Sequence, residues 1–329
     1  MEYFSIVLGW KSSEVGLFKH SSYVDSEYMC GIVGLFAKSS EVEERLGEHL
    51  AAMLVQMSSR GPDSAGVAVY RDPVTSGWSK LTLYSNDPSE DWSAVRDLLR
   101  SAFGGCEDPS IRASHAVVVV EADPGTAEAW VRANRPELRV MSAGEVIEIY
   151  KETGLPERFA AEFRLEGFQG THALGHTRMA TESRVTTEGS HPFSTGFDLC
   201  LVHNGSLSNH NRLRENLRRE GIEFQTENDT EVAAGYLAWR LREGATLEAA
   251  LEGCLTDLDG FYTFAVGTAD GFAVLRDPIA CKPAVLAETD DWVAMASEWR
   301  SIAVLPGAAD ARAWEPEPEV VYVWEKAKV

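Results

Sequence analysis

Basic residues are scarce in this chain: 30 Lys and Arg stand against 51 Asp and Glu, for a formal charge of -21. A protein that grips a phosphate backbone needs the opposite sign, which argues against nucleic acid as a partner. The acidic skin reads instead as a solubility device. Cysteine is also sparse, with five residues at positions 30, 106, 200, 254 and 281 and no Cys-x-x-Cys pair. That scatter argues against a zinc or iron–sulfur site within the chain, and no metal or cofactor is expected. The odd count argues against a disulfide framework and fits a reducing cytoplasm. No apolar run approaches the length of a membrane span, so no membrane association is expected. The opening stretch carries Glu2 in place of a basic start, and no small-residue cleavage site follows, so it does not read as a signal peptide.

What is present suits a globular protein of one large or two modest domains: 329 residues, 44% hydrophobic and 25% charged. Residues 1–29 have weak periodicity and read as a leader, a propeptide or a misassigned start. Cys30 to Phe36 is a fully apolar strand, and Glu41 to Met57 has the spacing of one amphipathic helix. A middle segment over about 72–168 alternates strand and helix in a small βαβα pattern, with a helix expected over Gly144 to Glu152, and reads as an inserted unit. Leu199 to Val202 is a strand ending in His203-Asn204-Gly205; a helix opens at Asp229; strands follow at Gly260–Thr268, Gly271–Arg276 and Trp292–Ala296. Residues 306–329 form a tail with a final strand. Strands with helices in blocks indicate an α+β fold of layers rather than a doubly wound parallel sheet.

The residue with the most chemistry is Cys30, in Tyr28-Met29-Cys30-Gly31-Ile32-Val33-Gly34. If translation starts at Met29, or a leader is cut, Cys30 becomes the first residue. It then carries a thiol nucleophile and its own α-amine as base. The segment alone equally describes a buried cysteine on a core strand. Further along come Arg60-Gly-Pro-Asp-Ser-Ala-Gly66, Gly175-His-Thr-Arg178-Met-Ala-Thr181, His191-Pro-Phe193, Val202-His-Asn204-Gly205 and Asn228-Asp229-Thr-Glu231. Taken singly, Asn204-Gly205 is a hairpin turn, Arg178 a surface ion pair and Asp229 a helix cap.

In this order the motifs resemble the class II, N-terminal-cysteine glutamine amidotransferases, from about Cys30 to Arg300 with the middle segment interrupting. The block Arg276-Asp-Pro, Lys282-Pro and Ala296-Ser-Glu298 looks like that family's closing strands. The resemblance implies a four-layer αββα Ntn-hydrolase sandwich over residues 30–305 with a small α/β insertion. It also implies hydrolysis of L-glutamine through a Cys30 thioester. In that chemistry Asn204 and the Gly205 N–H form the oxyanion hole. Arg178 takes the substrate carboxylate, Asp229 its ammonium, and Thr181 and the His191 segment line the pocket. His176 and His203 are structural, because the terminal amine already supplies a base. Met179 departs from the family, several members of which have an aromatic there, and the 29 residues before Cys30 must be absent for the amine to act.

No phosphoribosyl-binding motif, sugar-isomerase module or GxGxxG is found, so the ammonia-using domain is expected on another chain. Arg178 to Ser183 and Val202 to His210 look most like the separate amidotransferase subunit of glutamate-synthase-type enzymes, N-methylglutamate synthase in particular. The partner this implies is a flavin/iron–sulfur synthase subunit. A stand-alone Ntn amidase on another amide, and a non-catalytic regulatory subunit that kept the fold, remain as alternatives. The middle segment is either a docking surface or a surface elaboration.

Overall fold

The apolar run after Cys30 forms strand β1 (Gly31–Ala37), buried along its whole length. The protein is seen in a computed structural model that describes residues 30–179 and 185–326. The expectations for 1–29 and for Thr181 lie outside the described residues. Two helices follow, α1 (Ser40–Glu44) and α2 (Leu46–Val55), in place of the single helix expected. The break is Arg45, whose main chain leaves helical geometry and whose guanidinium turns onto Glu48. Next come β2 (Ser64–Tyr70), β3 (Ser79–Tyr84), α3 (Trp92–Phe103), β4 (Ser110–Arg112), β5 (His115–Val120), α4 (Pro124–Asn134) and β6 (Arg139–Gly144). They are followed by β7 (Ile147–Thr153), α5 (Pro156–Glu162), β8 (His172–Arg178), β9 (Phe193–Gly196) and β10 (Leu199–Leu207). Helices α6 (His210–Arg219), α7 (Asp229–Arg242) and α8 (Leu247–Asp257) lead to β11 (Gly260–Gly267) and β12 (Gly271–Arg276). The chain finishes with β13 (Val285–Glu288), β14 (Trp292–Ala296), α9 (Trp299–Ile302), β15 (Arg312–Trp314) and β16 (Tyr322–Glu325).

Two of the sheets face each other. One has the order β15-β13-β14-β1-β8-β2-β7, the other β16-β12-β11-β10-β9. Because strand side chains alternate, each strand serves two cores. Val33 and Leu35 of β1, with Val67 and Val69 of β2, pack on Leu46, Leu50, Met53 and Leu54 of α2. Ile32 and Phe36, on the other face of β1, meet Val202, Ala265, Phe272 and Val274 of the second sheet. That sheet in turn turns Leu201, Phe264, Val266 and Leu275 onto Val232, Tyr236 and Leu237 of α7. Helix, sheet, sheet, helix is the four-layer αββα sandwich expected from the resemblance. Among the described residues no helix is long and apolar enough to cross a membrane.

The inserted unit differs from the expected pattern. It is βαββαβ, with an antiparallel sheet ordered β4-β5-β3-β6 and its own core of Leu81, Leu83, Val95, Leu99, Val118 and Val131. It spans Ser79–Gly144, less than the expected 72–168, because β7 and α5 belong to the sandwich. Gly144–Glu152 is therefore not a helix. Ile147 to Thr153 pairs along β2, and the Asp198 carboxylate accepts from the N–H groups of Glu145, Val146 and Ile147 at the strand's start. Nor does the segment after 305 stand apart as a tail: β15 extends one sheet beside β13 and β16 the other beside β12.

Gly66 on β2 shows why that motif ends in glycine. A Cβ there would lie 2.1 Å from the His191 carbonyl and 2.7 Å from Lys151 Cβ. Gly66→Ala is expected to cost about 1–3 kcal/mol through overpacking. Gly167→Ala, whose Cβ would meet nothing within 4 Å, should stay within about 0.5 kcal/mol of wild type. Urea denaturation of the two variants checks this, and equal midpoints would contradict the close approach.

Candidate active site

Antiparallel pairing of β1 with β8 sets Gly31 opposite Thr177 and Ile32 opposite His176. Cys30, just before β1, therefore lies beside the end of β8, and its Sγ is 3.8 Å from the Met179 carbonyl. On the other flank Ser297 anchors the strand, its Oγ accepting from Ile32 N–H at 2.9 Å and its N–H donating to the Ile32 carbonyl. The Cys30 carbonyl accepts two side-chain donors, Asn204 Nδ2 at 3.0 Å from the facing sheet and Arg60 Nε at 3.3 Å from the segment after α2. Arg60 is buried and ion-paired with Glu298.

Asn204-Gly205 is not a turn after a strand, as the sequence alone suggests. β10 continues through it to Leu207, with Asn204 opposite Thr263 and Gly205 opposite Tyr262 of β11. Gly205 has φ +149°, and a Cβ there would lie 2.0 Å from the Phe261 carbonyl. Only glycine fits such a backbone. Alternation sends Asn204 toward Cys30 and His203 toward α7. Tyr262 has its N–H on Asp277 Oδ1 and its carbonyl on the Asp277 N–H. It does not need the Gly205 N–H.

The other expected residues gather around one loop. Arg178 is buried and donates through Nη1 to the Gly189 carbonyl at 3.1 Å. Asp229 is the first residue of α7, but the cap is Asn228, whose Oδ1 accepts from Thr230 N–H. Asp229 Oδ2 accepts from Leu207 N–H at 2.9 Å, which ties α7 to the end of β10. His191 is enclosed: its Nε2 lies 2.6 Å from Thr230 Oγ1, its ring centre lies 3.9 Å from that of His176 at a tilt of 43°, and it meets Phe193 edge-on. Arg60, Glu298, Ser297 and Lys282 were quoted in the motifs without a role; the contacts of the first three are long-range, which local pattern does not reveal.

Burial pushes the Cys30 thiol up, while the Met179 main chain, the Arg178 guanidinium and the Lys282 ammonium act against it. The imidazoles go the other way. Burial holds His176 down to about 3 and His191 well below its ordinary range; it also lowers His203, against the pull of Asp229. They are neutral struts near neutral pH. The arrangement thus offers one half-buried thiol, cations that favour its thiolate, and a side-chain amide within reach of the same residue.

A glutamine amidotransferase domain model matches residues 176–304. Over 302 residues the chain is 54% identical to the glutamine amidotransferase-like protein GlxB of Rhizobium meliloti (strain 1021), covering 91% of this chain and 99% of that one. It is 37% identical over 146 residues to the amidophosphoribosyltransferase of Staphylococcus aureus (strain Mu50 / ATCC 700699), covering 43% of this chain and 29% of that protein. Among solved structures, glutamine phosphoribosylpyrophosphate amidotransferase from B. subtilis, complexed with ADP and GMP, superposes with a TM-score of 0.55 at 21% identity. It covers 90% of this chain and 49% of that one, a likeness of fold.

The buried histidines give the protein an acid limit. His115, His172 and His176 are each lowered to about 3 by burial, whereas an unfolded histidine titrates near ~6.5. As pH falls below ~6.5 the unfolded chain binds protons that the folded one refuses, so stability is lost by up to about 1.4 kcal/mol per pH unit for each. The urea midpoint is expected to drop between about pH 7 and about pH 5, above the range where most carboxylates titrate. An unchanged midpoint would contradict the neutral assignment.

Proposed function

The chain belongs to the class II glutamine amidotransferase family, and on that premise we propose that Cys30 hydrolyses L-glutamine to glutamate and ammonia. In this reading residues 30–305 and the two edge strands act as one glutaminase unit, and the mature chain begins at Cys30. The observation that carries the reading is the convergence on Cys30 of Asn204 Nδ2, Arg60, Arg178 and Lys282.

The steps follow from the groups at hand. A free α-amine titrates near ~8 and a free thiol near ~8.5, so the two groups are closely matched before burial. Burial of Cys30 makes proton transfer from Sγ to its own amine uphill, and the Arg178 and Lys282 cations offset part of that. The thiolate attacks the side-chain amide carbon of glutamine. Asn204 Nδ2 carries two protons; one is on the Cys30 carbonyl and the other is left for the oxyanion, joined by the Gly205 N–H. The Cys30 ammonium returns its proton to the leaving nitrogen, ammonia departs, and a thioester remains. Water, deprotonated by the same amine, hydrolyses the thioester to glutamate and restores the thiol. Arg178 presents a planar fork to the α-carboxylate. Asp229, at 23% exposure, faces the α-ammonium. His191 serves this pocket from behind, through Thr230 and His176.

The ammonia goes to a glutamate-synthase-like partner, of the N-methylglutamate synthase kind, with a flavin/iron–sulfur subunit as acceptor. The setting is the cytoplasm, which suits five free cysteines. An unpartnered glutaminase would waste glutamine, so activity is low until the acceptor docks, a gating step of the kind lids perform.

Steady-state kinetics test the roles. Cys30→Ala should abolish turnover. Asn204→Ala should lower kcat by about 10²–10³ with little change in KM, because the oxyanion exists only in the transition state. Arg178→Lys should raise KM about tenfold or more while leaving kcat nearly intact. A change in KM alone for Asn204→Ala would remove it from the oxyanion hole. Glutamine hydrolysis should rise when the synthase-like subunit is added; full activity alone, with no partner recovered, would favour a stand-alone amidase.

A further inference from the structure

Lys151 is a buried ammonium with no part in the steps above. It lies on β7, opposite Gly66 of β2. Its Nζ donates to three main-chain carbonyls: Glu188 at 3.1 Å, Ser190 at 2.9 Å and Pro192 at 3.2 Å. An ammonium has three donors and no acceptor, so its whole capacity is spent on one loop. The Phe193 ring closes the cage, with its centre 4.5 Å from Nζ. Burying an ammonium is costly, and an apolar side chain of similar length would fill the space without that cost.

The residues between those three carbonyls point elsewhere. The Gly189 carbonyl accepts from Arg178 Nη1 and from Asn228 Nδ2, the cap of the helix that begins with Asp229. The His191 ring engages Thr230 and His176. One side of the loop is thus fixed by the cation, and the other side holds the mounts of Arg178 and Asp229. We propose that Lys151 is a positioning residue for the amino-acid end of the substrate, clamping residues 188–192 so that Arg178 and Asp229 keep the spacing a free α-amino acid requires. This rests on the roles of Arg178 and Asp229 given under Proposed function.

The clamp needs the charged form, since a neutral amine keeps only two donors. Burial lowers Lys151 to about 8, with Glu231 of α7 and Glu188 of the loop favouring the cation. His191 and His115, the imidazoles that feel this cation, are themselves held neutral by burial, and Arg139 of β6 lines the same cleft. Glutamine affinity should therefore weaken as pH rises through about 8.

The test measures KM and kcat for glutamine from about pH 7 to about pH 9.5 in wild type, Lys151→Met and Lys151→Arg, with hydrogen exchange of residues 185–192 alongside. Lys151→Met should raise KM about tenfold at about pH 7 and change kcat less than about threefold. It should also flatten the rise of KM with pH to that of glutamine's own amine, and speed exchange in the loop. Lys151→Arg, which keeps the charge, should recover part of the affinity. A folded Lys151→Met whose KM stays within about twofold of wild type overturns the proposal, as does a loss confined to kcat. If that variant does not fold, wild-type loop protection decides. Corrected for intrinsic exchange, it should fall over the same pH range, and constant protection overturns the clamp. A wild type that shows this loss of protection yet never turns over glutamine sinks the glutaminase reading and leaves the clamp standing.

Discussion

The main-chain carbonyl of Cys30 accepts from Asn204 on one sheet and from Arg60 on the segment after α2. The first bond crosses the interface between the sheets at the point where the nucleophile sits, and the second ties it to the connection between α2 and β2. Hydrogen bonds to a charged donor are worth about 1.5–3 kcal/mol each, and more is lost when a buried donor is orphaned. Arg60 is further held by Glu298 from the far end of the chain. Cys30 is thus fixed by elements 30, 174 and 268 residues away in sequence, and its geometry depends on the whole sandwich being assembled.

That assembly explains the sequence economy of the fold. Strands buried on both faces are apolar throughout, as in β1 and β14, and alternate residues feed different cores. Several polar residues inside the sandwich are satisfied by specific bonds. Lys80 meets Glu148 at 3.2 Å where the inserted unit crosses β7, and Tyr150 donates to the same carboxylate. Thr82 Oγ1 accepts from the Ile149 N–H across the same junction. The insertion is therefore hydrogen-bonded into the core.

How much was legible in the sequence follows from the range of each interaction. Apolar runs gave away β1, β11 and β14, and the helix opening at Asp229 gave away α7. The layered α+β architecture and the family followed from motif order. β7 was misread because Glu148 and Lys151 look like an exposed helical face; both are buried by partners far along the chain. Asn204-Gly205 carries strong turn chemistry, yet pairing with β11 runs straight through it, and the glycine is needed for φ +149° rather than for a reversal. Asp229 reads as a cap because it opens the helix; its neighbour Asn228 takes that bond and frees the Asp229 carboxylate for the Leu207 N–H. The Arg60–Glu298 pair joins two motifs whose contact no local pattern announces.

The chemistry assigned to Cys30 requires a thiol and an amine on the same residue. That requirement is tested most directly by top-down mass spectrometry of the active enzyme after reaction with a glutamine analogue bearing an electrophilic side chain. The account predicts a chain that begins at Cys30 and carries one adduct, on that residue. An active chain that retains residues before Cys30, or an adduct on exposed Cys281 in its place, would contradict it.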